Sequence, residues 1–375
     1  MELSALTRQL RARIAAQGPI SFRDFMEAAL YDPAHGYYAG GKARIGRKGD
    51  FFTSVSVGSL FGTLLARQFI EIWQNLGRPE RFDVVEQGSH DGTLAADVLT
   101  AFAHLAPCCP VRFTIVEPSA YWREKQQAKL SADARPIPVR WVESVEALEP
   151  VTGVCFSNEL PDAFPVHLIH QVSGGWRERA VDVAEDAFVF ADAALSNERL
   201  AQYTAALPPM PDGAFAEVNL AAIDWMKALA RKIQRGIALI VDYGFSRAEL
   251  YAPHRREGTL EAFAAHRRQS DPLANPGEVD LTTHVDFTTL AEAAEHEGLA
   301  TLGFTDQHHF LVGISRSHFA EGVLPDPREV RAFQTLSHPT LLGRSFKVLA
   351  AGRDMPGGLS GFAFAKNPRE ALGLP

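Results

Sequence analysis

From residue 81 onward, short apolar runs alternate with segments of helical spacing, and this alternation is the clearest pattern in the chain. Phe82 to Val85, Arg112 to Val116, Val139 to Val142 and Val154 to Ser157 read as strands, with helices at Thr93 to Leu105 and Ser119 to Leu130. A helix expected over Ala216 to Gln234 leads into Ile237-Ala238-Leu239-Ile240-Val241, the most strand-like run of all. A helix at Phe287 to His296 and strands at Leu299 to Phe304 and Phe346 to Leu349 complete seven strands. Near-continuous apolar strands in repeated β-α order predict an α/β, doubly wound, mostly parallel sheet covered on both faces.

Before this region the pattern is helical. Leu3, Leu6, Leu10 and Ile14 share one side of a stretch stopped by Gly18-Pro19. Ser21 then caps a second helix containing Phe22, Phe25 and Met26. A polar, glycine-rich loop runs from Asp32 to Thr53, and a long helix from about Ser59 to Leu76. Two insertions interrupt the β-α order. Residues 164 to 195 alternate like a hairpin around Ser173-Gly174-Gly175, followed by a linker at Pro208 to Gly213. Residues 243 to 286 are polar and rich in turn signals, as a lid would be. The expected organisation is a helical region with a cofactor-covering loop over 1–78 and a main domain over 79–352. The main domain carries insertions at about 164–213 and 243–286, and a frayed tail follows at 353–375.

Composition narrows the class. With 375 residues, 46% hydrophobic and 22% charged, the chain can bury one enlarged core or two modest ones. Its 37 basic against 45 acidic residues, net −8, argue against nucleic-acid or anionic-membrane binding and suit a basic protein substrate. Three cysteines, Cys108 and Cys109 adjacent, make neither a disulfide framework nor a zinc site, and no histidine spacing suggests a metal. No apolar run has the length of a membrane span. Arg8, Arg11 and Arg13 on an amphipathic stretch imitate a transit peptide, but Glu2 counts against one, so a cytoplasmic location is expected.

The chemistry begins where the first strand ends. Glu86 is followed by Gly88-Ser89-His90-Asp91-Gly92 and then a helix. Backbone N–H groups at such a helix start favour a bound carboxylate, and glycines admit a ligand close to the backbone. A NAD fingerprint would need glycines at 88, 90 and 93, but these positions hold Gly, His and Thr. The spacing instead fits the acid-x-Gly-x-Gly-x-Gly loop of methyltransferases with its middle glycine replaced by His90, a residue type that tolerates positive φ. A plain strand-to-helix turn is the alternative. Glu117 ends the second strand, where this fold places the acid that meets ribose hydroxyls. Trp141 and Glu143 would flank an adenine, unless the tryptophan is simply core.

Motifs along the chain carry a more specific likeness. They are Gly18 to Phe22, Leu30 to Pro33 with Gly36-Tyr37-Tyr38, and Gly49-Asp50-Phe51 with Thr53. Phe61-Gly62, Asn158-Glu159 with Asp162-Ala163, and Asp242-Tyr243-Gly244 follow. Asp280 to Phe287 and His338-Pro339 with Phe346-Lys347-Val348 complete the set. In this order, over roughly residues 17 to 350, the chain resembles the MidA family, whose eukaryotic members are mitochondrial complex I assembly methyltransferases. The resemblance implies a Rossmann-like methyltransferase sheet, S-adenosylmethionine as cofactor, and methylation of an arginine presented by a protein. It also departs from the family at Val55-Ser56, at the 88–92 loop and at Leu160-Pro161.

An arginine guanidinium stays protonated near neutral pH, so carboxylates must orient it and hold its charge. Ligands in this fold collect at the carboxyl ends of strands, which nominates Glu159, Asp162 and Asp242, with Glu217 at a helix start as a further support. Asp162 and Glu217 equally suit helix caps, and Asp242 a tight turn. Asn158 would meet the cofactor's amino group or the substrate, and Asp50 either the cofactor's methionine end or a turn. His284 is a proton acceptor or a packing residue. A methyltransferase for a small molecule or another residue type, and a binding protein that kept the fold without activity, are the competing functions.

Overall fold

A computed structural model describes residues 3–39, 53–131, 137–264, 267–319 and 326–375. The chain divides into two units, one built on the large sheet (52–160, 224–246, 287–375) and one from the N-terminal segment and both insertions (1–51, 161–223, 247–286). The helix Leu60–Asn75 thus belongs with the large sheet, not with the N-terminal region.

The main path of the large sheet, among the described residues, is made of β1 Phe82–Gln87, β2 Val111–Val116, β3 Val139–Val142, β4 Val151–Asn158, β5 Ile233–Phe245, β6 Ala300–Asp306 and β7 Phe346–Arg353. Their spatial order is β6-β7-β5-β4-β1-β2-β3. Strands β5, β4, β1, β2 and β3 run parallel, and β7 is antiparallel to both β5 and β6. Strand order reverses between β1 and β4, the crevice where doubly wound sheets take their ligands. Buried Val84, Val154 and Ile237 to Val241 explain why the central strands read as continuous apolar runs: helices cover both faces. Helices α1 Leu60–Asn75, α2 Thr93–Leu105 and α3 Ala120–Ser131 supply part of that cover, with Phe61, Leu64, Phe69, Leu94, Val98 and Phe102 in the core.

The second unit contains the expected hairpin. His167–Val172 pairs antiparallel with Gly175–Ala184 through Val172 and Gly175. Ser173 and Gly174, with φ of 49° and 81°, form the turn, and two positive φ values match the twist of the strands they join. Strands Ile20–Ser21, Ala187–Ala193 and Phe215–Val218 complete this five-stranded sheet. The last of these corrects the sequence reading. Residues 215–218 are a strand paired with His167 to His170, and the helix starts only at Leu220.

The C-terminal tail is also not frayed. It forms the helix Pro368–Leu372, and Leu359, Leu372 and Leu374 are buried. Among the described residues no helix is long and apolar enough to cross a membrane.

Candidate active site

Strand β1 delivers Glu86, and the loop beyond it bends through three left-handed residues: Gly88 (φ 83°), His90 (φ 45°) and Gly92 (φ 81°). Gly92 leads directly into α2, where Asp91 accepts the N–H (3.0 Å) and hydroxyl (2.7 Å) of Thr93 and pairs with Lys129. The φ of Gly88 favours glycine, and a Cβ there would also crowd Leu160, lying 3.2 Å from its Cβ. Glu86 is buried, and that burial pushes its carboxyl up to about 8, with the Ser89 hydroxyl opposing the shift. At the end of β4, Ser157 and Asn158 are buried too. Oε2 of Glu86, Oγ of Ser157 and Oδ1 of Asn158 have no hydrogen-bond partner among the described residues. Native proteins rarely leave such atoms orphaned without a ligand or water to meet them.

Glu117 lies just beyond β2. One oxygen accepts the Ser119 N–H (2.9 Å) and the other Nε2 of Gln126 (3.1 Å). Burial raises its pKa, and these bonds and Arg123 oppose that. Each carboxylate oxygen keeps a lone pair for a ribose hydroxyl. Trp141 on β3 packs against the core and donates its indole N–H to Oε1 of Gln126 (3.0 Å), while Glu143 is exposed and pairs with Arg123 (3.1 Å). Gln126 is the residue the sequence reading missed. Fully buried, it also donates to the His90 carbonyl (2.8 Å), joining the glycine loop, Glu117 and Trp141. Its signal was a polar residue on the buried stripe Trp122, Gln126, Leu130 of α3.

Glu159 follows β4 in a left-handed conformation, φ 54°. Its N–H donates to the Val241 carbonyl (2.9 Å), and its side chain accepts Nδ2 of Asn158 (2.8 Å). Asp242 is not a turn residue but part of β5, and it is completely buried. Its oxygens accept the N–H groups of Tyr243 (2.7 Å) and Leu160 (3.2 Å).

The remaining candidates belong to the second unit. Asp162 is buried in the short turn Pro161–Ala163, and burial pushes its carboxyl up to about 7. Glu217 lies in a strand, not at a helix start, and its carboxylate is occupied. It accepts the N–H groups of Thr259 (2.9 Å) and Leu260 (3.0 Å) and the Thr259 hydroxyl (3.0 Å), which makes it an anchor for that turn. His284 joins the same turn by donating its N–H to the Thr259 hydroxyl (3.0 Å). Asp50, and the Gly49-Asp50-Phe51 motif around it, lie outside the described residues. Among the described residues no group of three or more His, Cys, Asp or Glu is placed to hold a metal ion.

Comparison with known proteins identifies the family. Residues 64–305 match the model of a family described as S-adenosyl-L-methionine-dependent methyltransferases. The mitochondrial protein arginine methyltransferase NDUFAF7 homolog of Drosophila melanogaster is 30% identical, over 92% of this chain and 84% of that protein. The mitochondrial protein arginine methyltransferase NDUFAF7 of Homo sapiens is 28% identical, over 93% and 83%. A Burkholderia thailandensis protein, crystallised with S-adenosyl-homocysteine bound, superposes with a TM-score of 0.89 at 34% identity, covering 98% of this chain and 96% of its own. The mitochondrial names of the curated relatives overturn the expectation of a cytoplasmic location. With the family model spanning more than half of it, the chain belongs to the S-adenosyl-L-methionine-dependent methyltransferase family.

Proposed function

We propose that this protein transfers a methyl group from S-adenosylmethionine to an arginine side chain of a protein substrate. The observation that carries the cofactor half is the convergence of Glu86, Glu117 and Asn158 at the carboxyl ends of β1, β2 and β4, around a loop with three positive-φ residues. The arginine half is supported by the names of the curated relatives and by the carboxylate of Glu159 beside that loop's neighbour Leu160.

When bound, the cofactor supplies an electrophilic methyl on a positively charged sulfur. The chain's own residues bind, orient and handle the proton. Glu117 would hold the ribose hydroxyls, the N–H groups at the start of α2 the carboxylate, and Asn158 the amino group. Glu159 pairs with the guanidinium and aligns one nitrogen for in-line attack. Methylation releases a proton, which must pass to a carboxylate or to solvent.

Calorimetry with S-adenosylmethionine and NAD side by side tests the cofactor. Heat is expected with the first alone, and Glu117→Ala should weaken binding about ten- to hundredfold, the loss of a charged hydrogen-bond partner. Absence of cofactor heat, or an unchanged affinity in the variant, removes the assignment. Incubation with radiolabelled cofactor and arginine-containing peptides, followed by hydrolysis, should yield methylarginine. Glu159→Gln should keep cofactor affinity and lose transfer. A label on another residue type would refute the arginine reading.

A further inference from the structure

Asp242 was expected to hold the substrate, yet both of its oxygens are turned to the backbone of its own unit. One accepts the N–H of Tyr243 (2.7 Å) and the other that of Leu160 (3.2 Å). The parallel ladder between β4 and β5 runs up to Asn158 and Val241, and the Glu159 N–H extends it by donating to the Val241 carbonyl (2.9 Å). At that point the chain turns through the left-handed region at Glu159 (φ 54°), which a glutamate does not take without support. The support arrives at the next peptide, where the buried carboxylate grips Leu160. The Leu160 side chain in turn fills the space over Gly88, where a Cβ would come within 3.3 Å of Cδ1.

We propose that Asp242 is a positioning residue that clamps the Glu159–Leu160 turn in its left-handed form and thereby holds Leu160 against Gly88 of the cofactor loop. It acts on the cofactor site through Leu160 and presents the Glu159 carboxylate without touching the acceptor itself. The inference rests on the 88–92 loop being the cofactor seat. Asparagine cannot replace the carboxylate here, because its single carbonyl oxygen serves one N–H and its amide would face the other donor.

The experiment is a cycle of Asp242→Asn and Glu159→Gly, read as S-adenosylhomocysteine affinity by calorimetry alongside melting temperature. Asp242→Asn alone should weaken binding roughly tenfold. In the Glu159→Gly background the same substitution should cost less than about threefold, because glycine takes the left-handed conformation unaided. Equal losses in the two backgrounds, or lower melting temperatures without any change in affinity, overturn the proposal. Should Asp242→Asn fail to fold, Leu160→Ala leaves the clamp in place and removes its contact with Gly88. Weaker binding in that variant supports the proposal, and unchanged affinity overturns it. Wild-type protein that binds no S-adenosylhomocysteine would bring down the cofactor reading and this inference with it. Binding with additive losses brings down the inference alone.

Discussion

Glu86 shows how a residue can be legible by position and hidden in its chemistry. Its place at the end of the first strand was plain from the sequence, but its protonation depends on burial by neighbours distant in sequence, since β2 and β4 flank β1. Burial raises its folded pKa from 4.5 to about 8. The folded state therefore keeps a proton that the unfolded state gives up. Stability from this group is full below about pH 4.5, falls as pH rises toward 8, and is flat above. Glu86→Gln mimics the neutral form, so urea midpoints of wild type relative to the variant should decline across that window. Parallel curves would show that Glu86 ionises freely in the folded protein. Glu217 teaches the opposite lesson. An acid before an apolar helix reads as a cap, but its partners Thr259 and Leu260 lie some forty residues downstream, where no local pattern reaches.

At the scale of elements, the strands and helices from Phe82 to Leu130, the strand through Ile237 to Val241 and the helix Phe287–His296 follow the apolar periodicity closely, because a sheet buried on both faces leaves few alternatives. By contrast 243–286, read as a polar lid, holds the helix Arg247–Leu250 and strands such as Glu261–Ala264 and Asp280–Thr282. The failure at residues 215–218 has a physical cause. Four residues of strand pattern abut a helix of stronger periodicity, and only pairing with His167 to His170 makes them a strand. Helix α3 carries the site's least visible contribution. Gln126→Leu preserves the volume of the buried stripe but leaves the His90 carbonyl and the Trp141 indole N–H without their partner. Leaving such groups unsatisfied costs about 1–3 kcal/mol each, so the loop should loosen and S-adenosylhomocysteine affinity should fall about tenfold. Titration of the variant checks this. Retained affinity would mean that the loop holds its left-handed path without α3.

On the scale of the whole molecule, the insertions leave the sheet unit after the carboxyl ends of β4 and β5, and they join with the N-terminal segment in a unit of their own. Sequence could locate the insertions by their turn chemistry but not their grouping, which is set by pairings such as Ile20 with Val181. The tail is the other whole-molecule feature that the sequence concealed. The terminal position of the segment after Met355 suggested fraying, yet it closes the sheet unit at several points. Ser360 donates its N–H and hydroxyl to Glu71, and the Gly361 N–H reaches Gln68 (2.9 Å). The Phe362 ring lies 5.3 Å from that of Phe310, and the Leu372 carbonyl accepts the Thr288 hydroxyl (2.7 Å). Ending the chain after Met355 would strip the cover from Phe310 and remove the buried Leu359, Leu372 and Leu374. Each buried leucine is worth about 1.5–3 kcal/mol, and the exposed Gln68 and Glu71 regain water in partial compensation. The truncated protein should therefore melt at least about 5 °C lower and aggregate on heating. Because these contacts lie on α1, Thr288 and Phe310 and not on the glycine loop, the folded truncated protein should still bind S-adenosylhomocysteine with near-normal affinity. Calorimetric melting and titration of the same sample separate the two effects. An unchanged melting temperature would show that the docked tail contributes nothing to the fold, and lost binding at full stability would place the tail in the site.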